Sequence, residues 1–318
     1  LSAMCAAVLM LGACEGDRGP TGPQGPTGPS GPAGPTGPGG TPGTPGTPGT
    51  PGTPFSGRII YGVDGANNLI TFGALNPATR LSSTAITGLA AGETVVGIDF
   101  RPADDALYAV TSSSRLYTIT TATGAAAPVG GGTFTPALIG SSFGMGFNPQ
   151  VDRLRIHTDA EQNLRINQTA NPLAVTVDGA LAYSATDVNA AANPEIAGTA
   201  YTLSVRPAPT STELFAIDAG LDVLARVDVP NAGTMTTIGS LGFNTSADVG
   251  FDIAGDTDMA YATLTPSGTA GGPSRLYTIN LRSGQATIVG QVGHPSSLRS
   301  IAVAPGAPPA LNVIPRFF

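Results

Sequence analysis

Arg153, Arg155, His157 and Arg165 fall within thirteen residues of a chain that carries a formal net charge of −7 and only two histidines. In an extended strand Arg153, Arg155 and His157 project to one side. A face of forked guanidinium donors can hold a carboxylate or another anion. Asp152, Asp159 and Glu161 lie alongside. An internal ion-pair cluster is therefore the competing assignment, and local charge balance favours it.

A second set of residues offers oxygen ligands. The stretches Asp64-Gly65-Ala66-Asn67-Asn68, Asp178-Gly179, Asp187-Val188-Asn189 and Asp256-Thr257-Asp258 are the kind of loop calcium can use. Asp64, Asn67, Asp187, Asn189, Asp256 and Asp258 are the candidate ligands. None of these stretches has EF-hand spacing, and Asp or Asn followed by Gly is also ordinary turn chemistry in β-proteins. No cofactor other than calcium is expected.

Nucleophilic catalysis has little to build on. The one G-x-S-x-G match, Gly140-Ser141-Ser142-Phe143-Gly144, leads into a β-type run rather than a helix and so makes no nucleophile elbow, and a general base must come from carboxylates or from the two histidines. His157 occupies a position held in sibling segments by Val63, Val110 and Ile217, which argues for a structural role. His294, in Gly293-His294-Pro295, reads as a turn residue. Lysine is absent, all 14 basic residues are arginine, and only 11% of residues are charged. Nucleic acid is thus excluded as an expected partner, because phosphate neutralisation needs a clustered basic surface.

The elements that must position these residues begin after residue 54. Residues 1–13 are uncharged and nearly all apolar, like the core of a signal peptide, and Cys14 follows Leu11-Gly12-Ala13. Cys14 is the expected lipid-attachment site, which predicts an exported protein anchored in a bacterial membrane and facing the periplasm or exterior. From Gly16 to Gly52 every third residue is glycine, and nearly every triplet carries proline. That period is collagen-like, since only glycine fits the axis of three polyproline-II strands. Residues 14–54 are read as anchor and stalk, roughly 120 Å long at about 3.1 Å per residue. A homotrimer wound through the stalk and a single-chain polyproline-II spacer both fit. Cys5 and Cys14 are the only cysteines, so the part beyond the stalk must be held by packing rather than disulfides.

Beyond Arg58 short β-type runs alternate with Gly, Pro, Asn, Asp and Thr turns. One signature recurs as Ile60-Tyr61-Gly62-Val63, Leu107-Tyr108-Ala109-Val110, Leu154-Arg155-Ile156-His157, Leu214-Phe215-Ala216-Ile217 and Ala260-Tyr261-Ala262-Thr263. A second strand follows each, as in Leu116-Tyr117-Thr118-Ile119. A third, rich in small residues, ends near glycine, as in Thr287-Ile288-Val289-Gly290. The fourth reads Val96-Gly97-Ile98-Asp99-Phe100, Gly144-Met145-Gly146-Phe147-Asn148, Val249-Gly250-Phe251-Asp252 and Ser300-Ile301-Ala302-Val303. Four strands per unit at spacings of about 47 residues match propeller blades.

Five units predict an all-β fold: one β-propeller of five four-stranded blades over residues 55–305, with a tail at 306–318. The chain enters at the strand type of Ile60–Val63 and leaves with that of Ser300–Val303, the fourth, so the last strand can complete the first blade. The third unit is longer, about 60 residues, and contains an extra strand-like Leu181-Ala182-Tyr183-Ser184. It is read as an insertion, with six blades as the alternative. Tyr61, Tyr108, Phe215, Tyr261 and Tyr277 are expected to fill space between blades.

The order Val151-Asp152-Arg153-Leu154-Arg155, Gln162-Asn163-Leu164-Arg165-Ile166-Asn167, Val177-Asp178-Gly179-Ala180-Leu181-Ala182-Tyr183 and Asp187-Val188-Asn189 resembles the bacterial family of propeller-like repeats known as domain of unknown function 4394. Ala200-Tyr201-Thr202, Leu221-Asp222-Val223-Leu224 and Val249-Gly250-Phe251-Asp252-Ile253 extend the resemblance, which covers about residues 58 to 304. It implies a secreted or envelope propeller and no particular activity. The expectation is a stalked surface protein presenting a binding or interaction module. A hydrolase-type envelope enzyme and a structural component of a matrix or surface layer are the alternatives.

Overall fold

A computed structural model describes residues 57–306; Cys14, the Gly-x-y stretch and the tail beyond Gly306 lie outside them. The described residues form a five-bladed β-propeller. Its first blade contains β1 (Ile59–Asp64), β2 (Asn68–Gly73) and β3 (Asn76–Ala85). The second runs β4 (Val95–Arg101), β5 (Ala106–Thr111), β6 (Leu116–Ile119) and β7 (Ala126–Val129). The third runs β8 (Phe143–Asn148), β9 (Arg153–Thr158), β10 (Asn163–Asn167) and β11 (Ala174–Val177). A two-residue strand, β12 (Ala182–Tyr183), precedes the fourth blade of β13 (Ile196–Tyr201), β14 (Leu214–Asp218), β15 (Val223–Val229) and β16 (Thr234–Ser240). The fifth has β17 (Thr245–Ile253), β18 (Ala260–Pro266), β19 (Arg275–Ile279) and β20 (Ala286–Gln291), and the last strand is β21 (Leu298–Val303).

Ring closure follows the sequence pattern. β21 pairs antiparallel with β1, with Ile60 opposite Val303 and Gly62 opposite Ile301, and becomes the inner strand of the first blade. The two ends of the ring are thereby joined in one sheet, which removes an open edge. The long third unit does not make a sixth blade. Its extra strand β12 instead pairs in parallel with β16, on the outer edge of the fourth blade.

Burial explains which strand sits where. Strands second from the axis, such as β5 and β14, lie mid-sheet within their blades and are buried almost throughout, so they read as apolar runs without alternation. Outer strands such as β3 and β11 face solvent and hold Thr, Ser and Arg. The inner strands β4, β8, β13, β17 and β21 contact one another around the axis. Their crowding explains glycine at that position: a Cβ on Gly144 would lie 2.7 Å from the Thr199 backbone nitrogen, and one on Gly250 would lie 2.8 Å from that of Ile301. The expected aromatic filling is present, with Tyr61 edge-on to Phe100 at 5.4 Å and Tyr108 edge-on to Phe147 at 5.1 Å across blade boundaries.

Candidate functional site

Loops joining inner to second strands gather at one end of the ring, termed the exit face. The strand β9 starts there, so Arg153 and Arg155 stand near the exit face while His157 lies deeper in the blade. Between the third and fourth blades opens a cavity of about 440 Å³ lined by Asn148, Val151, Arg153, Arg155, Arg165, Tyr201, Val229, Pro230 and Asn231.

Three of the four predicted patch residues meet in that cavity. Arg155 is buried and donates to the Tyr201 hydroxyl at 2.9 Å, to Asn163 Oδ1 at 2.5 Å, to Asp178 Oδ2 at 3.0 Å and to Asn231 Oδ1 at 2.8 Å. Arg165, opposite Arg155 in the β9–β10 register, forks onto both oxygens of Asp178 at 3.1 Å. Among the described residues Arg153 bonds only to the carbonyls of Val151 and Asp152.

Two of the four, Arg155 and Arg165, are ion-paired, to an acid other than those expected. Asp178, in the turn after β11, is the partner rather than Asp152, Asp159 or Glu161. Asp152 turns instead to Arg101 of the second blade at 2.5 Å, and that contact holds its carboxyl below the usual range. Asp159 accepts from Ser141.

His157 does not join the cavity. It is fully buried with Nδ1 3.0 Å from Thr199 Oγ1. Burial, with the charge of Arg155, pushes its pKa down to about 3, so the imidazole is neutral. His294 is more than a turn residue: its Nε2 lies 3.0 Å from Asp64 Oδ2, and both side chains are buried. That pair sits at the opposite end of β1 from the exit face.

The candidate calcium ligands are spread over separate turns and engaged by protein partners, some within the same turn and some distant in sequence. Asp64 accepts from the Ala66 and Asn68 backbone nitrogens as well as from Asn68 Nδ2. Asn67, in a left-handed turn conformation, caps Glu93 O and Val95 N. Asp187 binds the backbone and hydroxyl of Thr237, and Asn189 donates to the same hydroxyl. Asp256 pairs with Arg58 at 2.5 Å. Asp258, also left-handed, accepts from Leu203 N. Among the described residues no three acidic, His or Cys side chains cluster as a metal site would require.

A second cavity, of about 380 Å³, lies at the exit end of the axis. Asp99 of β4 and Asp252 of β17 face it, along with Arg58, Asp256 and Arg206. Each of the two aspartates clasps the inner strand of the next blade: Asp99 Oδ2 accepts from Phe147 N at 2.7 Å, and Asp252 Oδ2 from Val303 N at 2.6 Å. Burial raises both, Asp252 to about 7, and the charge of Asp252 adds to the rise at Asp99. The loop between β13 and β14 reaches across this mouth, where Arg206 pairs with Asp105 of the second blade.

Neither Asp99 nor Asp252 was singled out from the sequence. The signal was there, because Gly97-Ile98-Asp99 and Gly250-Phe251-Asp252 repeat the same step on two inner strands. Asn148, Tyr201 and Asn231 were also missed; only the folded ring brings them beside the arginines.

Comparison with known proteins gives the family and little beyond it. No curated protein matches the chain. A chain from the crystal structure of a nidogen/laminin complex is similar at 12% identity and a TM-score of 0.45, over 78% of this chain and 98% of that one. A structural genomics protein of unknown function from Bacteroides thetaiotaomicron gives 13% identity and a TM-score of 0.45, over 79% and 67%. A putative 6-phosphogluconolactonase from Bacteroides uniformis gives 12% and 0.40, over 75% and 83%. The model of the domain of unknown function DUF4394 matches residues 68–302, and with most of its propeller inside that match, the chain belongs to the DUF4394 family.

Proposed function

We propose that this protein is an interaction module: a propeller whose exit face captures a ligand, carried on the collagen-like stalk and tethered to a bacterial membrane through lipid on Cys14. The observation that carries this reading is an open, arginine-lined cavity whose lining contains neither a histidine nor a carboxylate. An enzyme using the arginine face would need a base there. His157 is instead sealed in the blade and neutral, and His294 is bound to Asp64. A cavity of this size is in the range that small-ligand sites occupy.

The rival is an envelope hydrolase, and one observation favours it. Asp99 and Asp252 share the axial cavity with raised proton affinity, which is the state a general acid requires. Their bonds to the Phe147 and Val303 nitrogens give them a structural task as inter-blade clasps. Immobilised envelope glycans and proteins, probed with the full chain, test the module. Retention of a defined partner is the expected result; no retention of any would favour a structural role.

A further inference from the structure

We propose that the cavity between the third and fourth blades is an oxyanion site, taking a carboxylate or phosphate carried on a body about the size of one sugar ring. The proposal rests on the interaction-module reading and names the chemistry of its ligand. The lining holds three arginines and no carboxylate, in a chain whose net charge is −7. Asp178 stands behind Arg155 and Arg165 and offsets one of the three charges.

The neutral groups in the lining are committed in the same sense. Asn148 spends Oδ1 on the backbone nitrogens of Gln150 and Val151, so its amide NH2 remains to donate. Asn231 spends Oδ1 on Arg155 and likewise keeps its NH2. The Tyr201 oxygen accepts from Arg155, and its proton has no acceptor among the described residues. Among the described residues, Arg153 Nε and Nη2 and Arg165 Nη1 have no side-chain partner. A cavity whose polar side chains present donors is complementary to a ligand that offers acceptors, and charge selects an anion.

The rest of the wall is apolar. Val151, Val229 and Pro230 line it, and the two valines are half exposed. They can cover the C–H face of a ring while the arginines hold its acid group. The cavity volume of about 440 Å³ admits one ring with water and excludes no extension toward solvent.

The test is calorimetric titration of the full chain with glucuronate, glucose 6-phosphate and glucose. At least one of the two anions should bind and glucose should not, and the two anions together tell carboxylate from phosphate. Arg165→Ala should weaken the binding roughly tenfold or more, the cost of a lost charge-assisted pair, with Arg165→Lys intermediate. Asp178 keeps Arg155 in that variant. Arg153→Ala, which removes only bonds to backbone carbonyls, gives an independent reading should Arg165→Ala fail to fold. Equal binding of glucose, no binding of either anion, or full binding by both alanine variants would overturn the proposal. Partner retention by wild type and both variants alike would then leave the interaction module standing with its site elsewhere.

Discussion

Single residues in this protein are read most clearly where a polar group replaces an apolar sibling. His157 takes the place of Val63 and Val110, is buried, and stays neutral because burial and Arg155 make the charged ring costly. Arg155 takes a place held by Tyr108 and Phe215, and its cost is met by Asp178 and a cage of acceptors. The axial aspartates give the sharpest pH prediction. An unfolded aspartate releases its proton near pH 4, whereas folded Asp252 holds it to about 7. The folded state therefore binds more protons in that window, and stability falls as pH rises through it. Asp252→Asn cannot ionise and lacks this slope. In urea unfolding the variant should gain stability relative to wild type between pH 5 and pH 8; a constant difference would show that Asp252 ionises as freely folded as unfolded.

At the level of elements, the strap that carries β12 shows what an insertion can do. It leaves the third blade after β11, adds a parallel edge to β16, and buries Leu181 and Tyr183. The Tyr183 hydroxyl donates to Asp218 Oδ2 at 2.8 Å, and burial with that neighbouring carboxylate raises the phenol's proton affinity. Tyr183→Phe leaves a buried carboxylate one donor short. A loss of about 1–3 kcal/mol is expected from denaturant midpoints; an unchanged midpoint would mean the strap is passive. This strap also explains a gap in the sequence reading. The inner strand Ile196–Tyr201 was not recognised, because the insertion ahead of it breaks the spacing that exposed its four siblings. Its Gly198, whose added Cβ would lie 2.6 Å from the Phe251 Cβ, was the remaining clue.

For the whole molecule, blade count and closure were legible because each blade repeats one packing problem, and repetition in space leaves repetition in sequence. The site was legible only in part. Charge located Arg153, Arg155 and Arg165, but their partners come from afar: Asp178 is 23 residues from Arg155 and Asn231 is 76. Turn chemistry and metal ligation draw on the same residues: Asp64 accepts from its own turn and pairs with His294, and Asp187 accepts from Thr237, fifty residues away. Closure makes its own prediction. β21 supplies Ser300 Oγ to Ile98 N and Val303 N to Asp252, tying three blades at the axis. A chain ending at residue 297 should lose its cooperative urea transition; an unaltered transition would show that the ring does not depend on closure.

The central claim is that this propeller holds a ligand on its arginine face rather than transforming one at its axis. The most direct measurement follows retention and product release together, on one panel of envelope glycans, for wild type, the Arg153→Ala/Arg165→Ala double variant and Asp252→Asn. Retention without released product, lost in the double arginine variant and kept in Asp252→Asn, is the predicted result. Released product that disappears in folded Asp252→Asn while the double arginine variant retains full activity would contradict it.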